Sequence, residues 1–69
     1  MADRAVVGQV GEVVVRIPGG DRPGEIVASA RGIRETFIAY AESPFDCGEK
    51  VLVISARGPR QVDVVAWSE

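Results

Sequence analysis

The sequence has no histidine and only one cysteine, one lysine, one leucine and four aromatic residues among 69 positions. Each scarcity removes a class of chemistry. Ser29, Ser43, Ser55 and Ser68 have no imidazole to activate them, and a Ser–Lys arrangement would have to use Lys50, which opens an extended segment and is expected to face solvent. Without His, and with one Cys, a structural zinc site is excluded. A calcium loop needs several oxygen ligands, and Gly20-Asp21 offers a single carboxylate. Pro18-Gly19-Gly20-Asp21 is glycine-rich, but no Gly-Lys-Ser/Thr follows and no helix begins there, so it reads as a hairpin loop rather than a phosphate cradle. Glu35 and Glu42 fall on opposite faces of one strand pattern, so no pair of carboxyls is held together for acid–base work. The chain is read as a non-enzyme, with no catalytic residue, metal or cofactor.

The other absences bear on compartment. Cys47 has no partner for an internal disulfide, which makes a reducing environment the default. The negative charge of Asp46 and Glu49 beside it disfavours the thiolate, and Cys47 is expected to be a partly buried small apolar residue. No apolar run approaches the roughly 18 residues that span a bilayer, and Met1 to Val7 lacks the charge-then-apolar pattern of a signal peptide. The chain is therefore expected to be soluble. Eight basic and ten acidic residues leave a net charge of −2, which argues against broad attraction to nucleic acid or anionic membrane. Seven of the eight basic residues are Arg, which leaves room for a local patch.

What the chain has instead is β-branched apolar residues. Twelve Val and five Ile stand against the single Leu52. Such side chains are stiff at the first torsion and pack well on a pleated surface, so the bias predicts an all-β domain. The length allows one domain, spanning 1–69 with its core at about 6–67. Turn-forming clusters fall at Pro18 to Gly24, Arg31-Gly32, Ser43-Pro44 to Gly48 and Arg57 to Pro59. They separate five extended segments: about Val6 to Ile17, Glu25 to Ala30, Ile33 to Glu42, Lys50 to Ala56 and Gln61 to Trp67.

Alternation then assigns faces. Val13, Val15 and Ile17 oppose Glu12, Val14 and Arg16; Ile26, Ala28 and Ala30 oppose Glu25, Val27 and Ser29; Val62 and Val64 oppose Asp63 and Val65. Lys50 to Ala56 is apolar on both faces, which marks a central strand. In the third segment Phe37, Ala39 and Ala41 oppose Arg34, Ile38 and Tyr40, and either face can point inward. Gly8 and Gly11 interrupt the first apolar run. They mark either a bend that lets one long strand serve two sheets or a frayed lead-in. Short strands at regular spacing, with a bending first strand, lead to an all-β, five-stranded OB-like Greek-key barrel, expected to be antiparallel throughout and to lack any long helix.

Three stretches resemble a known family. Gly8-Gln9-Val10-Gly11, Ile17-Pro18 with its glycine-rich turn, and Gly24-Glu25-Ile26-Val27 look like the opening of the NfeD-like C-terminal domain. Phe37 to Glu42, Gly48 to Ile54, and Arg57-Gly58 to Val64 continue the likeness, which covers about Val6 to Val65. The resemblance implies an OB-like barrel without a helix between strands three and four, a segment that in this chain (Ser43 to Glu49) is long enough only for a turn. It also implies the soluble end of a membrane protein, on the cytoplasmic face if the parent is anchored and otherwise cytoplasmic. The implied partner is a scaffold protein of the stomatin or flotillin type. Longer members carry a Clp-type serine protease domain, which this chain does not contain, so no protease activity carries over.

The working surface expected on such a barrel is the face of strands two and three, flanked by the loops joining strands one to two and four to five. Arg22, Arg57 and Arg60 fall in those loops, Arg31 and Arg34 beside the second turn, and Tyr40 in the third strand. These six form the candidate partner surface, gathered towards one end, with a scattered solvated surface as the alternative. Arg favours interfaces because its planar fork pairs with carboxylates and stacks on aromatics. The alternative function is a single-strand nucleic-acid module. Phe37 and Tyr40 would supply stacking platforms, with Arg16, Arg22, Arg31 and Arg34 at the rim. Against it, the arginines can pair with Glu12, Glu25 and Glu35 across strands.

Overall fold

Alternating β-branched and polar residues build five strands, and the computed structural model, which describes residues 4–68, closes them into a barrel. A 3-10 turn at Arg4–Val6 leads to β1 (Val10–Val15), β2 (Gly24–Ala30), β3 (Ile33–Tyr40), β4 (Lys50–Gly58) and β5 (Gln61–Ala66). Around the barrel the order is β1-β2-β3-β5-β4, and β4 pairs back onto β1. This is the OB-like topology expected, with one correction. β3 and β5 are parallel, Tyr40 lying beside Asp63. An odd number of strands cannot alternate direction all the way around a ring, so closure itself demands one parallel pair.

The core has a small diameter and is filled accordingly. Ile26, Ala28 and Ala30 of β2 meet Phe37 and Ala39 of β3, Val51 and Val53 of β4, and Val62 and Val64 of β5. The open question in β3 resolves with Phe37, Ala39 and Ala41 inward. Phe37 sits across from Ile26 in the ladder, so a large ring faces a strand that otherwise offers alanines. Val6, in the 3-10 turn, is fully buried, and the turn packs against β2 and β4. Ile17 and Phe45 are buried beyond the strands and joined by a two-way bridge, each N–H donating to the other's carbonyl at 2.9 Å. No helix separates β3 from β4.

β1 does serve two neighbours. Val10 to Glu12 pair with β4, and Glu12 to Val15 pair with β2. Gly11 allows this crossing, because a Cβ there would stand 2.9 Å from the Val27 carbonyl oxygen and 3.0 Å from Ile26 Cδ1. Gly8 lies outside the strand, in the turn that follows Val6, so the bend belongs to Gly11. The alternation expected for β1 fails after Val13. A bulge between Val13 and Val15 inserts Val14 as an extra residue, so Val14 and Val15 both face solvent, Val15 at 48%. Ile17 returns to the interior.

Three further expectations are corrected. Cys47 is exposed, its thiol within 3.5 Å of the Val14 carbonyl oxygen in the turn before Gly48. The outer residues of β4, Leu52 and Ile54, are half-buried and exposed respectively, because a closed barrel has a single interior and no central strand buried on both faces. β5 ends at Ala66, and Trp67 is exposed. No helix among the described residues is long and apolar enough to cross a membrane.

Candidate functional site

The six residues of the expected surface do not form one patch. Arg22 lies in the β1–β2 loop, its N–H bonded to the Gly19 carbonyl, and Arg31 lies in the β2–β3 turn. All seven residues of β2 separate them, which at about 3.3 Å per residue is on the order of 20 Å. Arg34 is exposed on the outer face of β3, across from Ser29.

Two of the arginines are turn residues held in the left-handed region. Arg31 has φ 56 and precedes Gly32 at φ 79, a two-residue hairpin turn of the kind that needs positive φ at both centres. Arg60 has φ 57 after Pro59. Its guanidinium returns to β3, reaching Glu35 at 2.7 Å and the Thr36 carbonyl at 3.1 Å. Arg60 thus fastens the β4–β5 turn to β3, and its conformational cost of about 1–2 kcal/mol is offset by those bonds. Glu35 does pair with an arginine, but with Arg60 rather than with Arg16, Arg22, Arg31 or Arg34; the ion pairs Arg16–Asp46 and Arg57–Asp63 use aspartates.

Tyr40 and Arg57 do come together. The Arg57 guanidinium lies 3.9 Å from the centre of the Tyr40 ring, and its Nε donates to Asp63 at 2.8 Å. The Ser55 hydroxyl donates to the other Asp63 oxygen, also at 2.8 Å. The cluster spans β3, β4 and β5 because Tyr40 pairs with Asp63, and Asp63 with Ser55. It occupies the stacking platform that the nucleic-acid reading needs: Phe37 is in the core and one face of Tyr40 is covered by Arg57. Arg57 itself belongs to β4, not to the loop.

The cluster forms one wall of an open concavity of about 510 Å³. The opposite wall is the segment after β3, with Ala41, Glu42 and Phe45; the floor is β5 from Asp63 to Ala66. The groove exists because β3 stops at Tyr40 instead of running on to Glu42 as expected. The β1–β2 loop crosses so closely that a Cβ on Gly19 would be 3.1 Å from the Glu42 carbonyl oxygen, and Phe45 is drawn across to Ile17. The chain therefore leaves the sheet two residues early.

Sequence reasoning missed a second feature. On the outer face, Val10 pairs with Leu52 and Leu52 with Val65, a row of three apolar side chains across β1, β4 and β5. Val10 and Val65 are exposed, as are Ile54 and Trp67. The outward phase of Val65 was legible, but Lys50 to Ala56 read as apolar on both faces, and nothing showed which outward residues become neighbours. That depends on the register of paired strands, Val10 with Leu52 and Leu52 with Val65, far apart in sequence.

The NfeD C-terminal domain family model matches residues 10–65. The chain matches no curated protein and no solved structure.

Proposed function

The chain belongs to the NfeD C-terminal domain family, and on that premise we propose that it is a non-catalytic protein-interaction module, the aqueous end of a membrane-anchored parent that works with a scaffold protein of the stomatin or flotillin type. The observation that carries the reading is the apolar outer row Val10–Leu52–Val65, with Ile54 and Trp67 exposed near it. Contiguous apolar side chains on the outside of a small barrel cost solubility and mark surfaces that a partner covers. Tyr40 and Arg57 line the groove together with Ile54 and Val65, and stay in the proposed surface on that ground. The residue inventory agrees, since the chain has no histidine to activate a serine or the thiol.

Titration calorimetry of the domain with a purified stomatin-type scaffold domain tests this. A complex is expected, and Val10→Glu should weaken it about tenfold, because a carboxylate buried without a partner costs at least about 1.4 kcal/mol. No complex, or a complex indifferent to Val10→Glu, refutes the proposed surface.

For single-stranded nucleic acid the expected result is weak, salt-sensitive binding, with Kd about 10⁻⁴ M or weaker at physiological salt. The covered Tyr40 ring and the net charge of −2 both point that way. Fluorescence titration with labelled oligonucleotides measures it. Micromolar affinity abolished by Tyr40→Ala would favour the nucleic-acid function instead.

A further inference from the structure

β5 is paired on both edges only along part of its length. The Ile38 N–H donates to the Arg60 carbonyl at 2.7 Å, on the β3 side. The Trp67 N–H donates to the Lys50 carbonyl at 3.3 Å, on the β4 side. Main-chain groups of successive strand residues point to opposite edges, so these two bonds set the phase of the strand between them. Even-numbered positions address β3 and odd-numbered positions address β4. The β4 side agrees, for the Val53 N–H donates to the Gln9 carbonyl on the β1 side, leaving Leu52 to face Val65.

β3 leaves the sheet at Tyr40, opposite Asp63. Beyond that point the Val64 carbonyl and the N–H and carbonyl of Ala66 face the groove. Among the described residues no strand pairs with that stretch on that edge. An unpaired edge is a template for another strand, and natural barrels remove such edges by closing. Here closure is complete at Gln61 to Asp63 and lapses at Val64 to Ala66.

We propose that this edge binds an extended peptide segment of the partner protein, which adds as a strand beside Val64–Ala66. The inference rests on the interaction-module reading above and names where and how the partner is held. Strand addition draws affinity from main-chain bonds and specificity from alternate side chains. On one side an added strand meets Ala41 and Phe45, an apolar wall. The same wall carries Glu42, which is exposed and takes part in none of the ion pairs among the described residues. Arg57, the cation in the groove wall, is already engaged by Asp63 and Tyr40. The segment that fits alternates apolar and basic residues.

The probe is an acetylated and amidated hexapeptide of alternating valine and lysine, titrated into isotope-labelled domain and followed by amide shifts and hydrogen exchange. Shifts confined to Val64–Ala66 and the Ala41–Ser43 wall are expected, with slower exchange of the Ala66 N–H. The same peptide with glutamate for lysine should bind more weakly. Ala66→Pro removes the N–H that faces the groove and none that faces β4, a position at which an edge strand tolerates proline. Its circular dichroism should match the parent, and its affinity for the peptide should fall about tenfold, as loss of a main-chain bond predicts. Absent shifts up to millimolar peptide, shifts elsewhere, or undiminished affinity in Ala66→Pro overturn the proposal. If that variant does not fold, the Ala66 exchange rate decides alone: no slowing at saturation overturns it. Scaffold binding that survives Ala66→Pro but is lost in Val10→Glu removes the groove and leaves the function. Peptide binding at the groove without any scaffold complex removes the named scaffold and leaves the groove.

Discussion

Phe37→Ala is expected to abolish cooperative folding. Phe37 is 1% exposed, the largest of the fully buried side chains, and faces Ile26 across the β2–β3 ladder. Truncating a buried Phe costs about 3–5 kcal/mol, part transfer and part cavity. Apart from Ile26 opposite it, the inward residues of β2 and β3 that follow are Ala28, Ala30 and Ala39, whose methyl groups cannot fill the space. A chain of this length has a total stability of roughly 3–10 kcal/mol, so the loss takes most or all of it. Urea unfolding followed by far-ultraviolet circular dichroism measures this. The parent should show a single transition, and the variant a baseline already unfolded or a midpoint close to zero denaturant. A midpoint near the parent's would mean that the ring does not fill the barrel as described.

Gly24→Ala is expected to be nearly as damaging, although it adds one methyl group. A Cβ at Gly24 would overlap the carbonyl oxygens of Val15 and Arg16. Both are backbone atoms at the end of β1, and they cannot swing aside as a side chain would. β1 must move off β2, and with it the bulge at Val14 and the placement of Ile17. Overpacking of this kind costs about 3 kcal/mol, and each kcal/mol lowers Tm by about 4–8 °C in a domain of this size. The control is Gly58→Ala, where a Cβ meets nothing within 4 Å. Its Tm should stay within a few degrees of the parent. Calorimetric melts of the two variants side by side test the account, and equal melting temperatures would contradict it.

Gly24 shows how much of the chain could be read without coordinates. As a turn glycine before an apolar strand it was visible in the sequence, and it carried part of the family resemblance that the match over residues 10–65 bears out. That its missing side chain is required by the β1 carbonyls opposite was not visible. A close approach is a property of two strands rather than of one residue. The arginines teach the same lesson in reverse. Their proximity in the predicted loops suggested one patch, yet Arg31 and Arg60 are consumed by turn geometry and Arg22 lies at the far end of β2.

Read from its residues alone, the chain is all-β with five strands, shows the inward faces of β2 and β5, and resembles a family of OB-like barrels that the match over residues 10–65 bears out. These follow from local causes: β-branched stiffness, period-two alternation, and glycine or proline wherever the chain reverses. Long-range packing sets the parallel β3–β5 pair, which closure of an odd ring requires, and the bulge that turns Val15 outward. It alone assembled the outer row Val10–Leu52–Val65 and ended β3 at Tyr40, opening the edge of β5. Each of these depends on which distant residues become neighbours. A one-residue change of register moves every side chain to the other face, and no pattern within a single strand records that choice.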